Sequence, residues 1–193
     1  MFPHYTLASL DITNLYSNIP VKETRMILAN ILQQRLIPPR TQQELLKWYD
    51  VITKQNYFTQ KEQIVVQHDG LAMGAPSSGL IAEIFLQHIE HSQLTRLTHK
   101  HEIINYCRCV DDILLIFDSN QKILDEFNSL HPKLQFMAET EKDHILNFLD
   151  ISIHRTTTDM KTAIYRKPMF TDTIIPFTSN HPTHHAYASQ IPI

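Results

Sequence analysis

Three aspartates stand at the ends of apolar segments and could bind metal ions together. Asp111 and Asp112 separate two hydrophobic runs, and Asp11 ends a third run, LASLDI, roughly 100 residues earlier. Adjacent ionised carboxylates repel each other unless solvent or a cation compensates their charge. Alone, the pair also fits a solvated β-turn, where aspartate is common. If neighbouring strands of one sheet bring Asp11 beside the pair, a metal site becomes the better interpretation.

The chemistry of such a site follows from its ligands. Carboxylate oxygens suit Mg²⁺, with Mn²⁺ as an alternative ion. Two ions about 4 Å apart clamp the attacking and leaving oxygens of an in-line phosphoryl displacement. In that chemistry the protein mainly supplies positioning and charge compensation. Three converging aspartates therefore predict a two-metal site for phosphoryl transfer.

The elements that must position these acids alternate between strands and helices. Apolar, β-prone runs predict strands at residues 5–12, 103–110, 113–117, 136–141, 145–153 and 162–165, and two short strands within 56–67. Helical spacing predicts helices at residues 21–35, 41–54, 76–97 and 120–130. The two runs around Asp111 and Asp112 read as a hairpin with the acids at its turn. This order predicts an α+β fold, an antiparallel sheet with helices packed on one face.

Helix boundaries follow from capping residues. Thr41, with Glu44 three residues later, predicts the start of the second helix. Pro76 and Ser77 predict the start of the longest helix. Its buried face is predicted from residues that share one side: Ile81, Ile84, Phe85, His88 and Ile89.

Composition limits the classes of protein that need to be considered. Hydrophobic residues make up 42% of the 193, which is typical of a globular chain. No apolar run reaches membrane-spanning length, and the N-terminus lacks a signal peptide, so an intracellular protein is expected, with the nucleus as one option. The formal charge of −3 counts against a nucleic-acid-binding surface. Cys107 and Cys109 are expected to be reduced interior thiols on one face of a strand.

Five ordered sequence blocks resemble the motifs of reverse transcriptases, and in detail those of Penelope-like retroelements. The blocks are LDITNLYSNIP, GLAMGAPSSGLIAEIFLQHIE, CVDDILLIF, FMAETEKDHILNFLDISI, and YRKPMFTD followed by SNHP. The resemblance covers nearly the whole chain in the order and approximate spacing of that family. It implies a polymerase palm with a ferredoxin-like core. It also implies an RNA-directed DNA polymerase that uses an RNA template, a DNA primer, deoxynucleoside triphosphates and two Mg²⁺ ions.

The resemblance assigns three groups of site residues. The catalytic acids and metal ligands are Asp11, Asp111 and Asp112, joined by the carbonyl of Ile12 as a further ligand. The nucleotide-binding residues are Tyr16, Gly74, Ala75, Pro76, Ser77 and Lys142. The primer grip is Phe148, Leu149 and Asp150. Tyr16 would reject a ribose 2′-hydroxyl, and Lys142 would protonate pyrophosphate, although a core tyrosine and a surface lysine remain the alternatives.

Departures from the family pattern leave other interpretations open. Cys109 replaces the usual tyrosine of the aspartate box, Ala75 the usual serine, and Gly79 the usual proline. The predicted domains are a partial palm without its fingers at residues 1–167, and an irregular start of a thumb or connection at 168–193. The full-length element would supply the fingers, a thumb and in some elements an endonuclease, so this chain alone is expected to be inactive.

Two alternative functions are also consistent with the sequence. One is a catalytically inactive retroelement remnant with the same fold. The other is a nucleic-acid-binding module without enzymatic activity, whose contacts would come from a basic, histidine-rich tail: Arg166, Lys167, His181, His184 and His185.

Overall fold

Nine strands and five helices make up the part of the chain that the structure, a computed structural model, describes: residues 5–118, 123–156 and 159–167. In chain order they are β1 (Tyr5–Ile12), α1 (Leu15–Asn18), α2 (Val21–Gln34), α3 (Pro39–Lys54), β2 (Tyr57–Gln60), β3 (Gln63–Val66), α4 (Ser78–Lys100), β4 (Asn105–Cys109), β5 (Asp112–Asp118), α5 (Ile123–Asn128), β6 (Phe136–Thr140), β7 (Ile145–Phe148), β8 (Ile151–Arg155) and β9 (Met160–Ile164).

The central sheet has the strand order β4-β5-β1-β6, and every neighbouring pair is antiparallel. Helices separate β1 from β4 and β5 from β6, so the chain makes two split β-α-β units. This is the ferredoxin-like arrangement, and the predicted α+β class with an antiparallel sheet is confirmed.

One face of this sheet is covered by helices. Because side chains alternate along a strand, Leu10 and Ile12 of β1 point to the same face. They join Ile113 and Leu115 of β5 in the main core, where Phe85 in the first half of α4 is fully buried. Every helix contributes a buried residue to that core. Burial of this apolar stripe is what attaches α4 across the sheet.

The opposite face carries a second, smaller sheet with the order β7-β8-β9. Leu7 of β1 points to this side and packs with Leu146, Phe148 and Ile153. Leu114 and Ile116 of β5 border the same cluster. The small sheet therefore covers the end of this face that is near the start of β1.

Several predicted boundaries are wrong by a few residues. The second helix begins at Pro39, with Pro38 at its N-cap, because proline presets the backbone angle of a first helical residue; Thr41 lies inside it. The longest helix begins at Ser78 rather than residue 76, and His88 on it is exposed. The short helix α1 is absent from the prediction, since four residues carry no periodicity.

Two further expectations need correction, and others fall outside the described residues. Cys107 and Cys109 do share one face of β4, but both are exposed rather than interior. The strand predicted at 145–153 is two strands, β7 and β8, joined by a tight turn. Residues 119–122 and 168–193, which include the start of the predicted fourth helix and the three histidines of the predicted basic tail, lie outside the described part. No helix within it is both long and apolar enough to span a membrane.

Gly70 allows the segment before α4 to lie against α1. Its φ is +80°, and a Cβ added to it would lie 2.3 Å from the carbonyl oxygen of Ser17. The neighbouring amide of Leu71 donates to the carbonyl of Tyr16 at 2.7 Å, and Asn56 Nδ2 donates to the Gly70 carbonyl at 3.2 Å. Any side chain at this position would force these two backbones apart.

We expect Gly70→Ala to lower the free energy of unfolding by more than about 1 kcal/mol, because it adds both strain and a backbone clash. Gly79→Ala is the matched control, since a Cβ at Gly79 in α4 meets nothing within 4 Å. That variant should be neutral or stabilising by up to about 1 kcal/mol. Urea unfolding of both variants checks this, and equal effects would contradict it.

Candidate active site at the end of the central sheet

Strand register brings two of the three predicted acids side by side. Asp11 of β1 is directly opposite Asp112 of β5, and Asp112 is directly opposite Cys109 of β4. Met137 of β6 faces Asp11 from the other side. Directly paired residues of antiparallel strands share one face, with Cβ atoms about 5 Å apart. The four side chains therefore form a row across the sheet, on the face away from the helices.

Asp111 enters the site from the turn between β4 and β5. The preceding residue, Val110, has a φ of +58°, which is unfavourable for a β-branched side chain and costs about 1–3 kcal/mol. The Asp111 carbonyl accepts a hydrogen bond from the Ile12 amide at 3.0 Å. The turn is thus tied to the end of β1, and all three aspartates lie at one end of the sheet.

The carboxylates at this end disfavour each other's charge. Partial loss of solvent contact raises the pKa of Asp11, and the charge of Asp111 raises it further. Burial also raises the pKa of Asp112, with additional contributions from Asp111 and Asp11. Lys167 opposes this effect and lowers the pKa of Asp112. Concentrated negative charge from hard oxygen ligands is the donor chemistry that divalent cations such as Mg²⁺ select.

The acids are adjacent but do not yet form a coordination shell. Within residues 5–118, 123–156 and 159–167, no three His, Cys, Asp or Glu side chains converge closely enough to hold a metal ion. The donor types fit a hard divalent cation, and the carboxylates would have to turn toward one another to share it. Rotation is open to them because Asp11 is exposed and its two partners are half-buried.

The predicted nucleotide-binding residues gather near the same end, with one exception. Tyr16 lies in α1, shortly after β1 ends, and its side chain is half-buried against the main core. Its carbonyl accepts the Leu71 amide, and the Ala72 carbonyl accepts Ser78 Oγ at 2.7 Å. These two bonds connect α1 to the beginning of α4. Residues 74–77, containing Gly74, Ala75, Pro76 and Ser77, therefore form the connection between that loop and α4.

Lys142 is the exception. It follows Glu141, whose amide donates to the carbonyl of Leu7 at 2.9 Å. Leu7 is four residues before Asp11 on β1, a distance of about 13 Å along the strand. The structure places Lys142 toward the other end of the sheet and does not bring its backbone to the carboxylates.

The predicted primer grip is the turn between β7 and β8. Phe148 and Ile151 close this hairpin as a direct pair, with Leu149 and Asp150 at its tip. Phe148 is buried against the face of the central sheet that carries the acids. The Asp150 carbonyl accepts the Tyr165 amide at 2.8 Å, which fixes the tip to the segment after β9.

Two contributors to this region were missed by sequence reasoning. Lys167, assigned only to a basic tail, is close enough to Asp112 to affect its pKa. Arg108, between the two cysteines, points to the helix-covered face and binds Glu83 and Glu90 of α4. The sequence carried a signal for the orientation of Arg108. Side chains alternate along a strand, so Arg108 points away from the face of Cys107 and Cys109 and shares the face of Tyr106.

A ferredoxin-like sheet with carboxylates clustered at one end has the architecture of a polymerase palm. The chain belongs to the reverse transcriptase (RNA-dependent DNA polymerase) family, whose sequence model matches residues 3–161. The match includes all three aspartates. A search of curated proteins found no match.

Solved telomerase structures share the fold. Apo telomerase from Candida tropicalis superimposes with a TM-score of 0.66 at 15% identity, covering 83% of this chain and 33% of that one. Telomerase from Candida albicans in complex with a TWJ fragment of telomeric RNA gives a TM-score of 0.65 at 13% identity, covering 82% and 31%. The chain spans about a third of the length of these telomerase chains.

Removing one charge from the row should stabilise the metal-free protein. In chelator at pH 7, we expect Asp112→Asn to raise the thermal unfolding midpoint, because the raised pKa of Asp112 means that its ionised form is disfavoured on folding. The gain should shrink as pH falls through the raised pKa of folded Asp112 and vanish below about 3.9, the pKa of an unfolded aspartate, where the wild-type group is protonated in both states. A loss at pH 7, or a gain that grows on acidification, would contradict the repulsion.

Proposed function

We propose that this chain carries the catalytic carboxylates of an RNA-directed DNA polymerase that extends a DNA primer on an RNA template from deoxynucleoside triphosphates. The supporting observation is the direct pairing of Asp11 with Asp112, beside a turn that presents Asp111. The alternatives, an inactive remnant or a binding module, would not need three like charges at one sheet end. Membership of the reverse transcriptase family agrees with the active interpretation.

The proposed metal ligands are the carboxylates of Asp11, Asp111 and Asp112, with the carbonyl of Ile12 as a further donor. Two bound Mg²⁺ ions, or Mn²⁺ in their place, would supply charge compensation for an in-line displacement at the triphosphate. The chain's own contribution is to hold the acids at one end of a rigid sheet. Tyr16 and residues 74–77 would border the nucleotide, and the turn after Phe148 would bear on the primer.

We also propose a Penelope-like retroelement as the source of this reverse transcriptase, on the ordered sequence blocks described above. Residues 1–167 would form the palm, and residues 168–193 would begin a thumb or connection. The fingers, the rest of the thumb and an endonuclease would belong to the full-length element. An intracellular site of action, with the nucleus as one option, suits a chain whose two cysteines are free thiols.

Primer extension tests the proposed activity. If the chain is competent without further domains, purified protein will extend an oligo(dT) primer on poly(rA) with Mg²⁺. Asp111→Asn should then reduce the rate by at least about a hundredfold, because it removes charge where transition-state charge is compensated. Asp125→Asn, an exposed acid on α5, is the control and should retain the wild-type rate. An inactive wild-type chain would reject autonomous activity, and an active Asp111→Asn variant would reject the assigned acids.

Sugar selection tests the role of Tyr16. Tyr16→Ala should raise the kcat/KM for ribonucleotides relative to deoxynucleotides by about tenfold or more, because the ring would no longer exclude a 2′-hydroxyl. Tyr57→Ala, which removes an exposed tyrosine from β2, serves as the matched control. An unchanged ratio in a folded, active Tyr16→Ala variant would assign Tyr16 to packing alone.

A further inference from the structure

Arg108 forms a buried ionic network between the central sheet and α4. Its Nε donates to Glu90 Oε1 at 2.6 Å, and its Nη2 donates to Glu90 Oε2 at 3.0 Å and Glu83 Oε1 at 2.9 Å. Its Nη1 donates to Glu83 Oε2 at 2.9 Å and to the Val110 carbonyl at 3.1 Å. All five donors of the guanidinium are thereby used.

Burial makes this network costly to disturb. The Arg108 side chain is only 8% exposed, and those of Glu83 and Glu90 are 40% and 22% exposed. Tyr106, on the same face of β4, donates its hydroxyl to Glu90 Oε1 at 2.6 Å. A buried guanidinium needs charged partners in fork geometry, which a lysine ammonium reproduces only in part.

The contact with Val110 links this network to the carboxylates. The Val110 carbonyl belongs to the peptide before Asp111, and it accepts from Arg108. The Asp111 carbonyl belongs to the next peptide, and it accepts from Ile12. Both peptides that flank the Asp111 Cα are therefore held, one through Arg108 and the other by β1. This restraint offsets the unfavourable φ of Val110.

The network also reaches the predicted nucleotide loop. Glu83 lies in the second turn of α4, and that helix begins at Ser78, directly after residues 74–77. Because a helix moves as a rigid rod over such short distances, the position of Glu83 governs where the loop lies relative to the acids. One side chain thus connects the metal-binding turn to the segment beside the nucleotide.

We propose that Arg108 is a positioning residue, which fixes the Val110 carbonyl and the α4 carboxylates together so that Asp111 and the 74–77 loop keep one relative arrangement. Arg108 is on the opposite face of the sheet from the acids, so it acts through Val110 and α4 rather than on substrate. The effect of Arg108 on catalysis rests on the proposed polymerase function, whereas its effect on the position of the Asp111 turn does not.

Arg108→Lys tests the proposal, with Arg155→Lys as the matched control. Arg155 also holds one carboxylate, Glu141, in fork geometry, but does so beside the start of β1, away from the acids. Both variants should lose stability, with the larger loss in Arg108→Lys, whose guanidinium makes more hydrogen bonds. Only Arg108→Lys should speed hydrogen exchange of the Ile12 amide and weaken Mn²⁺ binding, each by about tenfold, since a charged hydrogen bond is lost at the turn.

Activity adds a third measurement. In an active protein, Arg108→Lys should lower kcat with little change in the primer KM, while Arg155→Lys should retain the wild-type kcat. Glu83→Gln is a milder change on the exposed side of the network and should also lower kcat. It provides a second test in case Arg108→Lys does not fold. Equal Ile12 exchange in Arg108→Lys and Arg155→Lys, or an unchanged kcat in Arg108→Lys, overturns the proposal. If wild type extends no primer but the Ile12 difference persists, the proposed function fails and the positioning role stands.

Discussion

The antiparallel register of β1 against β5 is the constraint on which the rest of the structure depends. It sets Leu10 opposite Ile113 on the helix-covered face and Asp11 opposite Asp112 on the other. A slip by one residue would exchange the two faces, burying carboxylates under α4 and exposing the apolar side chains. The hydrophobic core therefore selects the same register that the carboxylate site requires, and the site is stabilised by contacts on the face it does not occupy.

At the carboxylate end of the central sheet, the two faces differ in how their charges are compensated. On the helix side, the buried charge of Arg108 is matched by the partly exposed carboxylates of Glu83 and Glu90. On the other side, partial burial and the charge of Asp111 raise the pKa values of both Asp11 and Asp112, Asp11 raises that of Asp112 further, and Lys167 opposes the rise at Asp112. Repulsion and an unfavourable φ at Val110 coexist there, as is common where a protein gives up stability for function. The Arg108 hydrogen bond to the Val110 carbonyl connects the two faces at this end of the sheet.

Much of the architecture could be predicted because it follows from local periodicity. The alternation around Asp111 and Asp112 indicated a hairpin, and the long apolar stripe of α4 indicated a helix. Errors appeared where a boundary depends on a tertiary contact or on proline geometry, as at Thr41 and Ser78. The prediction placed both cysteines correctly on one face of a strand, but wrongly in the interior. The pattern of one strand does not show which of its faces the helices cover. The assigned roles of Tyr16, Lys142 and Phe148 remain predictions.

The sequence by itself determined the family and the type of most strands and helices, and it predicted the three acids, because these depend on residue types in order and on local spacing. Only the tertiary structure decided that Asp11 is paired with Asp112 and that Lys142 lies toward the other end of the sheet. It also decided that Arg108 joins the turn to α4. Those facts depend on which strands become neighbours and in what register. Long-range packing sets both, through contacts between residues about 100 positions apart that no local pattern records.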